Sequence, residues 1–362
     1  MQLLSSFISS SKTSSFAKEI IKTALNQLCR ESSTFAATAG VEKKCTVERL
    51  SLKYRNSEPI TAVTAYDFPS AKQVKLMLFF DEFNLSTAQV DAAGIDIVLV
   101  GDSASMVVHG HDTTLPITID EMLTHAKAVK RGTRRSMIVC DLPFGTYEES
   151  VNRAVQTALK VVKEGCSDAV KLEGAIQQRL DAIKAIRSAG VPVMGHIGLT
   201  PQSVHVFGGF KPQGRSADAA LALVQSAVRL EEAGCFAIVV ECVPDIVTLA
   251  IKHTVNIPII GIGAGQHADG QILVYHDLLG LTAHPHHASV SPKFCKQYAQ
   301  LGRDAASALK AFKQEVEDKI FPSKQFSPYA MKDTELQSFA EGLNKLGFEK
   351  ASLNMRHYLL RR

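Results

Sequence analysis

Met137-Ile-Val-Cys-Asp-Leu-Pro-Phe-Gly-Thr-Tyr-Glu-Glu-Ser-Val-Asn-Arg-Ala-Val-Gln-Thr-Ala-Leu-Lys-Val-Val-Lys-Glu-Gly-Cys-Ser-Asp-Ala-Val-Lys-Leu-Glu-Gly174 holds one whole structural repeat. Met137–Asp141 is an apolar, β-branched run that ends on an acid. Glu148–Glu164 spaces its apolar residues at helical intervals, Gly165 stops that helix, and Ala169–Leu172 opens the next apolar run. A strand that is apolar nearly throughout must be covered on both faces, which points to a parallel sheet under helices.

The same order recurs on both sides. Further strand candidates are Ile60–Tyr66, Ile95–Val100, Val191–His196, Ala237–Glu241, Ile257–Ile262 and Gln271–Tyr275. Amphipathic stretches at Ile119–Arg131, Gln177–Ala189, Ala217–Ala233 and Asp245–Val255 lie between them, and Gly94, Gly190 and Gly234 act as further helix stops. Eight such units predict an α/β protein of the (β/α)8 type, a TIM barrel, with a doubly wound open sheet as the alternative.

Composition narrows the class. The 362 residues are 46% hydrophobic and 21% charged with a net charge of +4, which excludes whole-chain disorder and gives no polyanion-binding surface. No apolar run reaches the ~18 residues of a membrane span. The seven cysteines are scattered and include no C-x-x-C pair, so neither a zinc site nor a disulfide framework is expected.

Residues 1–40 differ from the rest, with thirteen Ser/Thr, four cations (Lys12, Lys18, Lys22, Arg30) and two acids (Glu19, Glu31). Phe16–Leu28 can form a basic amphipathic helix. Such a leader reads as an organellar transit peptide, mitochondrial rather than plastid, or else as a disordered tail. The expected organisation is a leader over residues 1–45, a catalytic barrel over 46–321 and a partly helical tail over 322–362.

Barrel enzymes work at the C-terminal ends of their strands, so polar residues there are candidates. They are Asp102 beyond Val98-Leu-Val-Gly, Asp141, Lys171 and Glu173, His196, and Glu241. Three carboxylates converging from successive strands repel one another, and the usual remedy is a hard divalent cation, most often Mg²⁺. Lys171 and Glu173 share one face at i and i+2. Beside acids the lysine stays charged, which favours binding an anionic substrate over imine chemistry. Gly261-Ile-Gly-Ala-Gly265 is either a phosphate-binding turn or a tight reversal. Pro201–Phe210 is a lid or a surface loop, and His109-Gly-His111 is a poor zinc pair beside better oxygen ligands.

Several strings occur in register: Thr64-Ala-Tyr-Asp67, Val100-Gly-Asp-Ser103, His109-Gly-His-Asp-Thr-Thr-Leu-Pro116, Asp141-Leu-Pro-Phe144, Lys171-Leu-Glu-Gly174, Gly195-His-Ile-Gly-Leu-Thr-Pro-Gln202, Glu241-Cys-Val-Pro244, Gly261–Gly265 and Asp269-Gly-Gln-Ile-Leu-Val274. Together, from about Thr61 to Phe321, they resemble the ketopantoate hydroxymethyltransferase family. The resemblance implies a Mg²⁺-dependent barrel of the phosphoenolpyruvate/pyruvate superfamily, acting in pantothenate biosynthesis. Its co-substrate would be 5,10-methylenetetrahydrofolate and its acceptor 3-methyl-2-oxobutanoate. It further implies Asp102, Asp141 and Glu173 as metal carboxylates, with Ser103 and Lys171 on the 2-oxo acid. His196 would face the product hydroxymethyl group and Glu241 would be the base. A homo-oligomer, a decamer in the family, is also implied.

One stretch departs from that pattern. Val74-Lys-Leu-Met-Leu-Phe-Phe-Asp-Glu-Phe-Asn-Leu-Ser-Thr-Ala-Gln89 is extra, and sixteen residues add roughly 24 Å if helical. It is either a gene-model artefact or a protrusion of a real isoform, which leaves a catalytically impaired isoform as one alternative. A Mg²⁺-dependent carbon–carbon lyase on the same barrel is another, although its cysteine-bearing catalytic loop is missing here.

Overall fold

The computed structural model describes residues 43–72, 93–281 and 293–360. The proposed transit helix Phe16–Leu28 and the extra stretch 74–89 lie outside the described residues.

The described residues form two compact units, one within 43–278 and 293–297 and the other within 279–281 and 298–360. In the first unit eight parallel strands close on themselves in sequence order, β1 paired to β2 and onward until β8 returns to β1. The open-sheet alternative is thereby excluded. Before the first strand stands a helix that the sequence reading did not include, α1 (Val47–Arg55), capped by the Thr46 hydroxyl on the Arg49 N–H. Its Leu50 and the preceding Cys45 are buried among the barrel-interior side chains, closing the barrel floor.

In order follow β1 (Ile60–Thr64), α2 (Phe68–Lys72), β2 (Ile97–Val100), α3 (Ala104–Val107), α4 (Ile119–Gly132), β3 (Met137–Asp141), α5 (Val151–Gly165), β4 (Ala169–Glu173), α6 (Gln177–Ser188) and β5 (Val193–Gly198). Then come α7 (Val204–Phe207), α8 (Ala217–Ala233), β6 (Ala237–Glu241), α9 (Asp245–Lys252), β7 (Ile259–Ile262), β8 (Gly270–Leu273) and α10 (Tyr275–Leu278). β1 and β2 flank the extra stretch, yet they keep an unbroken ladder from Ala62↔Ile97 to Thr64↔Leu99.

Local chemistry accounts for these bounds. α4 begins with a capping box in which the Thr118 hydroxyl accepts from the Glu121 N–H and the Glu121 carboxylate accepts from the Thr118 N–H. α8 runs from the Ser216 cap to Gly234 in the left-handed region. At the end of α5, however, the left-handed residue is Cys166 (φ 56°), not Gly165. Gly165 serves close packing instead: a Cβ there would stand 3.1 Å from Ala126 Cβ on α4. Between β7 and β8 no helix intervenes. Gly261–Gly265 reverses the chain against Asp245, so tightly that a Cβ on Gly265 would lie 2.3 Å from Asp245 Cβ. That packing favours the tight-reversal reading of this glycine-rich stretch over the phosphate turn.

Alternation along each strand sends every second residue inward. Ala62, Ile97 and Leu99, Met137 and Val139, Ala169, Met194, Ala237 and Val239, Ile260 and Ile272 share one interior cluster. At the opposite ends, carboxylates that open strands tie the ladder together. Asp96 accepts from the Thr61 N–H, Asp168 from Ile138 and Asp269 from Ile259. Lys53, Lys44 and Lys252 pair with these three acids in turn.

The second unit contains α11 (Leu301–Glu317), α12 (Asp333–Lys345) and α13 (Glu349–Leu360). Within it α12 and α13 pack on each other, burying Leu336, Ala340 and Ser352, whose hydroxyl donates to the Ala340 carbonyl. Among the described residues no helix is long and apolar enough to cross a membrane.

Gly198 and Gly190 separate two reasons for glycine. Both have positive φ, but a Cβ on Gly198 would meet the Glu241 carbonyl oxygen at 2.2 Å, whereas nothing stands within 4 Å at Gly190. Gly190→Ala should lose only the left-handed penalty of roughly 1–2 kcal/mol. Gly198→Ala should lose roughly 1–3 kcal/mol more through overpacking. Urea midpoints of the two variants measure the difference, and equal losses would refute the close approach at Gly198.

Candidate active site

The interior column turns from apolar to charged at the C-terminal ends of the strands. Asp141 lies two residues beyond Val139, Lys171 two beyond Ala169, and Glu173 two further. His196 is two beyond Met194 and Glu241 two beyond Val239, so all five side chains share the inward face. Register then selects neighbours. Asp141 stands opposite Lys171, and Glu173 opposite His196. Adjacent strands run about 4.8 Å apart, close enough for such side chains to touch. Lys171 Nζ is 2.9 Å from Asp141 Oδ1, and His196 Nδ1 is 3.3 Å from Glu173 Oε1. His196 Nε2 faces Glu241 Oε2 at 3.2 Å.

Asp102 and Ser103 reach the same place from the turn after β2. The Asp102 N–H donates to Asp141 Oδ2 at 3.0 Å. Gly101 keeps this turn narrow, since a Cβ on it would meet Ser103 Oγ at 2.7 Å. Ser103 Oγ shares a 2.8 Å hydrogen bond with the Tyr66 hydroxyl. The structure therefore brings Asp102, Ser103, Asp141, Lys171, Glu173, His196 and Glu241 together at the barrel mouth.

Charge dominates this mouth. Asp102, Asp141, Glu173, Lys171 and His196 are all buried, while Glu241 is half-buried. Burial, then Asp141 and Glu173, push the Asp102 carboxyl well above its usual range, and Lys171 only partly offsets them. Burial alone would lower Lys171, but Asp141, Glu173 and Asp102 override it, so the amine is held above its ordinary value and remains an ammonium. For His196, burial and Lys171 pull the imidazole down. The Glu173 and Glu241 carboxylates on either side outweigh them and raise it to about 9. His196 thus lies between the Glu173 and Glu241 carboxylates, with Lys171 Nζ 3.4 Å from its Nδ1.

Four carboxylates thus face one ammonium and one imidazolium. Such a surplus of buried oxygen charge suits a hard divalent cation. Among the described residues no three acids, imidazoles or thiols form a ready-made coordination cage.

Other motifs resolve differently. His109 Nε2 lies 2.8 Å from His125 Nε2, whose Nδ1 reaches the Tyr66 carbonyl at 2.6 Å, so the His109-Gly-His111 stretch engages a separate imidazole pair. The start of the Pro201–Phe210 stretch is not an open loop. It forms a 3₁₀ turn (Pro201–Ser203) running into α7, with Gln202 and Val204 buried. Tyr66, Tyr147 and Gln202 were missing from the sequence candidates, although each is a polar residue just beyond a strand end.

Because its carboxyl is raised when folded, Asp102 contributes favourably at low pH, and that contribution is lost as pH rises through the raised value. In EDTA, Asp102→Asn should therefore raise the melting temperature by a few degrees, the scale on which about 1 kcal/mol moves a domain of this size. The gain should grow as pH climbs above the ordinary carboxylate range. A melting temperature that falls at neutral pH would refute the charge surplus.

Comparison with known proteins places the chain in a family. Residues 44–324 match the family described as ketopantoate hydroxymethyltransferase. The chain is 54% identical to 3-methyl-2-oxobutanoate hydroxymethyltransferase 1, mitochondrial, of Arabidopsis thaliana, over 86% of this chain and 85% of that protein. It is 49% identical to enzyme 2, mitochondrial, of Oryza sativa subsp. japonica, over 86% and 73%. With the enzyme of Oleidesulfovibrio alaskensis it shares 45% over 78% and 96%. The chain belongs to the ketopantoate hydroxymethyltransferase family.

Proposed function

We propose that this chain transfers a hydroxymethyl group from 5,10-methylenetetrahydrofolate to 3-methyl-2-oxobutanoate, giving 2-dehydropantoate, with water supplying the hydroxyl oxygen. The observation that carries the chemistry is the contrast among the carboxylates. Glu241 side-chain exposure is 17%, against 4% for Asp141 and 5% for Glu173, so Glu241 is the acid a bound substrate carbon can reach.

Asp102 and Asp141 would hold Mg²⁺, with Glu173 acting through water. When bound, the ion supplies a Lewis acid for the keto oxygen. Lys171, locked as an ammonium, and Ser103, held by Tyr66, orient the 2-oxo acid through its oxygens. Glu241 takes the C3 proton, leaving the enolate carbon free to attack the methylene carbon opened from the folate. His196, charged and fixed between Glu173 and Glu241, keeps the base in place and faces the new hydroxymethyl group.

The names of the plant relatives support mitochondrial targeting by the leader at residues 1–45. The catalytic body would be residues 46–321, assembled as a homo-oligomer. The unbroken β1–β2 ladder supports a barrel that accommodates the extra stretch 74–89 and remains active.

The test is exchange of the C3 proton of 3-methyl-2-oxobutanoate in D₂O without folate, followed by NMR. Exchange should require Mg²⁺ and vanish with EDTA. Glu241→Gln should slow it by about 10²–10⁴-fold while leaving binding of the 2-oxo acid intact. Unchanged exchange in that variant would remove Glu241 as the base, and no exchange in the wild type would refute the proposed reaction.

A further inference from the structure

We infer that Gln202 is a positioning residue that fixes the Asp102 and Glu173 carboxylates for a divalent cation, and that Tyr147 acts through it. The inference rests on the metal reading proposed above and assigns the groups that prepare the site for the ion.

Gln202 sits in the turn directly after β5, and its hydrogen-bonding groups are engaged by the mouth. Its backbone N–H donates to Glu173 Oε2 at 3.0 Å. Its side-chain nitrogen donates to Asp102 Oδ2 at 2.8 Å and to the Leu142 carbonyl at 2.9 Å. Its amide oxygen accepts from the Tyr147 hydroxyl, and that hydroxyl oxygen accepts from the Glu173 N–H at 3.3 Å. One residue thus links the polar segments that follow β2, β3 and β5 with the last residue of β4.

The amide orientation follows from its neighbours. The end facing Asp102 and Leu142 meets two acceptors and must be the nitrogen, whereas the end facing the tyrosine hydroxyl meets a donor. An apolar side chain of the same length would fill the space but leave Asp102 Oδ2, the Leu142 carbonyl and the Tyr147 hydroxyl without these partners.

Asp102 needs such help because it lies in a turn, outside the strand ladder that aligns Asp141 and Glu173. Its backbone is tied to Asp141 and its side chain to Gln202. With Oδ2 engaged by the amide, the orientation of the carboxylate toward the mouth is set before any ion arrives. Glu173 is constrained likewise, Oε2 on Gln202 and Oε1 toward His196. Tyr147 is itself buried under the Arg179 guanidinium, 4.7 Å from its ring centroid, which keeps the hydroxyl aimed at Gln202.

Mg²⁺ titration calorimetry on the purified protein tests this in four forms: wild type, Gln202→Met, Tyr147→Phe and the double variant. Melting curves in EDTA establish that each is folded. Gln202→Met should weaken Mg²⁺ binding by about 10–100-fold, the usual effect of losing a group that orients metal ligands. Tyr147→Phe should weaken it less, and the double variant no more than Gln202→Met alone, since the tyrosine acts through the glutamine. At saturating Mg²⁺ the C3 exchange rate of Gln202→Met should recover toward the wild-type rate, which a generally damaged fold would not do.

Wild-type affinity in folded Gln202→Met would overturn the inference and leave the proposed function standing. Should Gln202→Met not fold, unchanged affinity in folded Tyr147→Phe would overturn it. A wild-type protein that does not bind Mg²⁺ would overturn the metal reading and this inference together.

Discussion

Lys171 Nζ and Asp141 Oδ1, 2.9 Å apart on neighbouring strands and both nearly excluded from water, form the contact on which the barrel mouth depends. Removing one partner of a buried ion pair typically costs about 3–5 kcal/mol, because the other charge is left uncompensated. Here the lysine does more than neutralise one acid. It moderates the upward push on Asp102 and opposes the charging of His196, which Glu173 and Glu241 then restore. The pair exists because the β3–β4 register sets Asp141 opposite Lys171.

Acids at the two ends of the strands have different work. Asp96, Asp168 and Asp269 open strands and accept neighbouring backbone N–H groups, each with a lysine beside it. Their charge is satisfied locally, and they hold the ladder. Asp141, Glu173 and Glu241 close strands, where the interior column meets the mouth and the local cations are too few. The same residue types have their charge satisfied at one end and left in surplus at the other, according to how much positive charge lies within reach.

Much of this was legible in the chain itself. The eight apolar runs, the helices between them and the acids ending several strands follow from periodicities of two and 3.6. α8 was readable from its bounds, Ala217 to Ala233. α1 was not, because Leu50 is its one buried residue and its role as a floor appears only when the barrel closes over it. Gly165 signalled a helix end, yet its absent side chain matters for the approach of α4, and the left-handed turn falls to Cys166. Gln202 lacked a local signal for its role, since its partners are Asp102, Leu142, Tyr147 and Glu173.

The local pattern of the chain therefore carries direction. Alternation along a strand dictates that Lys171 and Glu173 share one face, because that rule involves only neighbouring residues, whereas which face looks inward is settled by the closed barrel. Which oxygen meets which donor was decided by tertiary structure alone. The Gln202–Asp102 bond spans 100 residues and the Lys171–His196 approach spans 25. Such distances are set by strand register and barrel closure, which no local pattern in the chain encodes.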